Sequence, residues 1–303
     1  ITQGGNDTVT GGAGADIITF GWGRNTLRDT VANLDGDKVS SFGFGAVDIR
    51  GAHIGMDDLA VTANKVTATV GASTFELFGR FDANVAQGEF IIAARGLGND
   101  AYTTMTFVNY LPTLSEGVRV DAGSINGIAS QAFLTGTGAL HYMLDFRSAV
   151  STYANTVGYY LVGADGRIGD VNILFANSHG VAAGTQVDLG TPAGDVGIGF
   201  FLIQDGFDFY GSLPDDLSFL TPNVWTPADV NAGQAPVLWS QSRGVLTVTE
   251  IFHSFASLNP GQTTQVLSGV LPGGQGLQIG FEDLPSTSGD NDYQDVILGI
   301  WLV

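Results

Sequence analysis

A nine-residue period at the start of the chain constrains its fold more than any other feature. Gly4-Gly5-Asn6-Asp7-Thr8-Val9-Thr10 is followed by Gly11-Gly12-Ala13-Gly14-Ala15-Asp16-Ile17-Ile18-Thr19. Gly5 and Gly14, Asp7 and Asp16, Val9 and Ile18 therefore recur at one interval. A degraded third copy, Phe20 to Arg28, puts Asn25 in the aspartate position and Leu27 in the apolar one. The pattern is G-G-x-G-x-D-x-U-x with U apolar. Nine residues suffice for a glycine turn and a very short strand, which is half a coil of a β-roll. Glycines such as Gly12 and Gly14 allow the positive φ of the turn. Their carbonyls, with the side chains of Asp7, Asp16 and Asn25, then face the gap between neighbouring turns, where a cluster of oxygens selects a hard ion such as calcium. Without metal the aspartates repel, so folding and ion binding are expected to be coupled. The alternative for the same residues is an ordinary pair of Gly-Asp turns. Two and a half copies fall short of the three a solenoid needs. Ile1 also falls inside a repeat, so the array is expected to continue upstream or to cap another structure.

Composition agrees with a globular, strand-rich chain. Of 303 residues 44% are hydrophobic, and glycine, at 44 residues, is about twice its usual share. The formal charge is −19, from 30 acidic and 11 basic residues. Such a chain is repelled by nucleic acid and by anionic membranes. Its carboxylates either bind divalent cations or confer solubility; composition leaves both open. There is no cysteine, which excludes disulfides and thiolate metal sites. No apolar run is long enough for a transmembrane helix, and membrane insertion is not expected.

Beyond the repeats, Asp29 to Val39 reads as strand, turn, strand, with Asp35 and Asp37 either in a solvated turn, the preferred reading, or on another ion. Val66 to Gly71 and Thr74 to Gly79 read as a hairpin, and Phe90 to Ala94 as a buried strand. The nonapeptides and the Asp29-to-Val39 segment resemble those of serralysin-type RTX proteins. The resemblance implies that residues 29–98 continue or cap the roll, and that secretion is of type I.

Residues 99–303 carry further strand candidates: Tyr102 to Tyr110, Gly117 to Val120, Ile128 to Leu134, Val157 to Val162, Val245 to Phe252 and Val296 to Val303. Gly163-Ala164-Asp165-Gly166 has hairpin-turn chemistry. The continuous apolar run Val196 to Ile203 predicts a strand buried on both faces. Residues 142–156 are readable as a short helix or as strand, and 211–237, rich in Pro, Asp and Asn, as a long surface loop. The fold expected is all-β: a short calcium β-roll over 1–28, a β-rich capping module over 29–98, and a jelly-roll-like β-sandwich over 99–303.

A second acidic constellation stands near the end, with Glu282 and Asp283 followed by Asp290, Asn291, Asp292 and Asp295. Carboxylates two apart in a bent loop can converge on one hard cation; the alternative for the same residues is a solvated acidic loop. No flanking helices or sixth-position glycine make this an EF-hand. The segment Phe281 to Val296 resembles the terminal signature of an uncharacterised bacterial surface-protein domain, FEDL followed by D-x-D-Y-x-D-V. That resemblance implies calcium ligands at Glu282, Asp283, Asp290, Asp292 and Asp295. The residue before the last aspartate, usually Asn or Asp, is here Gln294.

Catalytic signatures are missing. His53, His141, His179 and His253 form no H-E-x-x-H, Ser178-His179 lacks the G-x-S-x-G elbow, and there is no phosphate-cradling glycine loop. His253 reads as a sheet residue. No enzyme is expected. The expectation is a secreted, calcium-binding structural or adhesive protein of the bacterial cell surface that self-associates or binds matrix polysaccharide. The alternative is a carbohydrate-binding or targeting module of a larger secreted enzyme, with Phe209, Tyr210, Trp225 and Trp239 as candidate sugar platforms.

Overall fold

The computed structural model describes residues 2, 4–23, 25–43, 45–81, 88–96, 98–121, 134–246, 250–270, 276–285 and 287–303. The repeats make strands β1 (Thr8–Val9), β2 (Ile17–Thr19) and β3 (Thr26–Thr30), and the roll continues through β4 (Lys38–Ser40) and β5 (Ala46–Arg50). One strand per nonapeptide sends alternate strands to opposite sheets. β1 pairs in parallel with β3 (Thr8 with Thr26, Val9 with Leu27), and β3 with β5. β2 pairs in parallel with β4, Ile17 opposite Lys38. Leu27 and Val47 from one sheet and Ile18 and Val39 from the other are buried in one core. Between Asp29 and Val39 the expected strand-turn-strand is instead the end of β3, a helical turn α1 (Val31–Leu34) that buries Leu34, and β4.

Both parallel sheets are extended by antiparallel hairpins. β6 (Leu59–Val61), β7 (Lys65–Val70) and β8 (Ser73–Gly79) complete the order β2-β4-β8-β7-β6. β9 (Gly88–Arg95) and β10 (Tyr102–Asn109) complete β1-β3-β5-β10-β9. The first sheet thus runs past residue 98. Where the two sheets are capped, Phe42 lies 5.5 Å, ring centre to ring centre, from both Phe81 and Phe90 and 5.8 Å from Phe20. The steep contacts to Phe81 and Phe90 are edge-to-face, a favourable arrangement for rings.

The rest is a stack of three antiparallel sheets. β11 (Tyr142–Ser148), β14 (Gln186–Asp188), β20 (Val266–Gly269), β21 (Leu277–Phe281) and β22 (Val296–Leu302) form one, in the order β14-β11-β22-β21-β20. β12 (Thr156–Val162), β13 (Ile168–Phe175), β15 (Gly197–Ile203) and β19 (Ile251–His253) form the middle one, β13-β12-β15-β19. β16 (Leu217–Leu220), β17 (Val237–Ser240) and β18 (Gly244–Val245) form the third. The run that predicts a strand buried on both faces is β15. Ile198, Phe200 and Leu202 join one core with Leu144, Phe146 and Ile279, while Phe201 and Ile203 join another with Phe219 and Leu238. A two-residue period places alternate side chains on opposite faces.

Two expectations are corrected. Gly117 to Val120 is not a strand; its N–H groups are taken by the acidic loop, Gly117 by Asp292 and Val120 by the Asn291 carbonyl. Residues 211–237 are not one long loop, because Leu217 and Phe219 alternate inward and build β16. Residues 142–156 supply β11 rather than a helix. The candidate Ile128 to Leu134 lies, up to residue 133, outside the described residues. Of Val245 to Phe252, residues 247–249 also lie outside them, and the flanks belong to β18 and β19. Among the described residues no helix is long and apolar enough to cross a membrane.

Phe42 joins the roll to its cap through three ring contacts. Phe42→Ala is expected to destabilise the fold by about 3–5 kcal/mol, read as a lowered urea midpoint with an unchanged slope.

Candidate metal centres

In the roll, the aspartate position of each turn meets that of the next turn in the same sheet. The Asp7 N–H donates to Asn25 Oδ1 at 3.1 Å, across a spacing of 18 residues. The Asp16 N–H donates to Asp37 Oδ1 at 2.8 Å, across 21. Gly12 and Gly14 have φ of 90° and 105°, as the repeat requires. The Gly12 N–H donates to Asp29 Oδ2 at 2.8 Å. Asn25 is buried and donates its amide to the Gly21 carbonyl, so it holds the aspartate column together without adding charge.

Asp37 is fully buried. It is not in a solvated turn, although Asp35 is exposed and accepts the Glu76 N–H. The second oxygens of Asp16 and Asp37 are both buried without a hydrogen-bond partner. A Cβ on Gly11 would lie 3.0 Å from each of them. Burial, with the charges of Asp16 and Asp29 adding to it and the Asp16 N–H opposing, pushes the Asp37 carboxyl above the usual carboxylate range. Burial also acts to raise Asp29, but bonds from Gly12, Asn33 and Thr30 outweigh it and hold that carboxyl low. Buried oxygens without partners are costly in a native fold. A glycine-walled gap between two facing carboxylates fits a hard divalent cation. Asp16 and Asp37 would hold it, and Asp29 orders the turn beside it.

The C-terminal acidic residues fall into two neighbouring groups instead of converging on one point. Carboxylate oxygens of Glu282, Asp283 and Asp295 lie within 4.8 Å of one another, and so do those of Glu116, Asp290 and Asp292. The ends of β21 and the start of β22 place the first group. The Asp283 N–H donates to Asp295 Oδ2 at 2.8 Å, and Asp283 Oδ2 accepts from Asn155 Nδ2 at 2.6 Å and from the Ser151 hydroxyl. Glu282 is fully buried; Oε2 accepts the Asp292 N–H at 3.2 Å, while Oε1 has no partner. Burial, then the charges of Asp290 and Asp292, push Glu282 up to about 7. Burial likewise raises Asp283, Asp292 and, most strongly, Asp295. Asn291 and Tyr293 take left-handed backbone conformations, φ 59° and 57°, that turn the loop back on itself. Gln294 reaches away from the loop and donates to Glu116 Oε2 at 2.5 Å and to the Val150 carbonyl at 2.8 Å. Here too, a buried oxygen without a partner among carboxylates fits a hard cation.

Of the residues singled out in the sequence, the structure sets Asp16 against Asp37, Glu282 with Asp283 and Asp295, and Asp290 with Asp292; Glu116, Ser151 and Asn155, which lack a local motif, join these groups only in the fold. Elsewhere, His253 is a buried residue of β19, its backbone bonded to Asn259 and its ring 4.8 Å from Phe219. Burial pushes its pKa down to about 3. Of the candidate sugar platforms, Trp225 and Phe209 are exposed, whereas Tyr210 and Trp239 are half-buried.

Residues 1–27 match the family model described as RTX calcium-binding nonapeptide repeat (4 copies). The match supports reading the N-terminal turns as RTX-type repeats that bind calcium. Residues 183–302 match a second model, described as a domain of unknown function (DUF4114), which spans β14 to β22 and includes the Glu282-to-Asp295 loop. No curated protein and no solved structure matches the chain.

A carboxyl raised by folding binds its proton more tightly in the native state. Its contribution is full below the unfolded-state pKa and is lost as pH rises through the folded one. With chelator present, the melting temperature is expected to fall between pH 5 and pH 8, with Glu282 alone accounting for roughly 3 kcal/mol. Differential scanning fluorimetry reads this directly, and millimolar calcium should abolish the fall.

Proposed function

We propose that this chain is an extracellular, calcium-stabilised structural or adhesive module of a bacterial surface, and not an enzyme. The observation that carries the reading is the pair of buried, unpartnered oxygens of Asp16 and Asp37 facing each other across Gly11. Calcium is scarce inside cells and millimolar outside. An ion site of modest affinity therefore stays empty during synthesis and fills after export, so that folding is completed outside. RTX repeats are typical of secreted bacterial proteins, and resemblance to such proteins supports type I secretion. The Glu282, Asp283 and Asp295 group is a second calcium site in the same reading, one that stiffens the sandwich. Self-association or attachment to a surface polysaccharide is the role proposed for the assembled module. The exposed side chains of Ile17 and Trp22, the latter 88% accessible, give the first turns of the roll an apolar surface for such contact.

Circular dichroism in chelator tests the roll. Strand signal should be reduced, return with millimolar calcium, and in Asp37→Asn require at least about tenfold more calcium. Identical spectra with and without calcium would remove the basis of the reading.

A second reading, glycan binding, is favoured by Trp225. This residue is 53% exposed, sits beside the exposed Val224, and is held at φ 61°, a conformation uncommon for a bulky residue. A glycan array should then give a selective hit that Trp225→Ala erases; a blank array leaves the scaffold role alone standing.

A further inference from the structure

The C-terminal acidic centre holds more charge than one divalent ion can offset. Six carboxylates contribute, in two sets of three, each with its oxygens within 4.8 Å of one another. Calcium–oxygen distances of 2.3–2.6 Å allow oxygens on one ion to lie up to about 5 Å apart, so each set has the dimensions of one coordination shell. The sets meet at Glu282. Its Oε2 accepts the Asp292 N–H, and its Oε1, buried and without a partner, stands 2.4 Å from where a Cβ on Gly289 would be, next to Asp290. With all six carboxylates ionised, one divalent ion would offset a third of the charge, and two would offset two thirds.

We propose that this centre binds two hard divalent cations, one on Glu282, Asp283 and Asp295 and one on Glu116, Asp290 and Asp292, with Glu282 facing both. This rests on the reading of the C-terminal centre as a cation site. The second ion has a structural consequence that the first lacks. Glu116 belongs to the segment that leaves β10, the strand shared with the roll, and lies along the acidic loop. The segment's backbone is held by the Leu111 N–H on the Val270 carbonyl, the Gly117 N–H on Asp292 Oδ2 at 2.7 Å and the Val120 N–H on the Asn291 carbonyl. An ion between Glu116, Asp290 and Asp292 converts a repulsive contact into a clasp, fastening the segment that follows the roll to the sandwich.

Calcium bound per chain, counted by equilibrium dialysis and elemental analysis on the full chain, tests this. Compared with the unaltered protein, Glu116→Gln/Asp290→Asn should lose one ion, and Asp283→Asn/Asp295→Asn one ion or more. Trypsin cleavage after the exposed Arg119 reads the clasp. Calcium should slow it about tenfold in the unaltered protein, and Glu116→Gln, a change at an exposed side chain that leaves the core intact, should remove the protection. If the Glu116/Asp290 variant retains the full count, the two-ion proposal is overturned while the centre survives as a one-ion site. If the Asp283/Asp295 variant also retains the full count, the centre does not bind calcium and both readings fall. Unchanged protection in Glu116→Gln overturns the clasp.

Discussion

Like charges buried side by side govern this molecule. In water, Asp16 and Asp37, or Glu282 and Asp295, would each be solvated and would pay little attention to one another. Folding removes their water and leaves them facing. Coulomb repulsion grows as the surrounding dielectric falls. The polypeptide supplies backbone N–H donors to some of the oxygens, from Asp16, Asp283 and Asp292, but others have none. Under the proposed reading, a cation would offset the repulsion that such an arrangement builds in. The same polar groups that make the apo fold weak give the ion-bound fold its strength.

The two acidic centres sit in very different frameworks. In the roll, each turn contributes one position to a column, and the sheets on either side are parallel. The column ends where the hairpins β6–β8 and β9–β10 convert both sheets to antiparallel pairing and the phenylalanine cluster around Phe42 fills the space between them. In the sandwich, the acidic residues and their partners come from segments far apart in sequence: Glu116 is held by Gln294, and Asp283 by Ser151 and Asn155. The first centre depends on local repetition and the second on completed tertiary structure.

That difference also explains what the sequence discloses. The nonapeptide is legible because its period is the period of the structure, and β15 because an apolar run without alternation has nowhere to sit except between two layers. Asp37 stands out as an acidic residue, but its place in the column is not legible, because α1 stretches the interval from 18 residues to 21 and breaks the count. Glu116 is hidden because its partner Gln294 is 178 residues away, and no local pattern encodes such a contact. Gln294 is the residue that reaches Glu116; its side chain, one methylene longer than asparagine, gives the amide that length. β16 is obscured by the prolines and acids around it, although Leu217 and Phe219 carry the alternation of a strand.

β22 lies at the centre of its sheet, with β11 on one side and β21 on the other. Although last among the strands, it is a keystone and not an edge. A premature stop upstream of Val296 would do more than trim the sheet, for β14–β11 and β21–β20 would become separate ribbons with their interior faces open to water. Losing β22 would therefore cost this sheet its middle, where losing an edge strand would only narrow it.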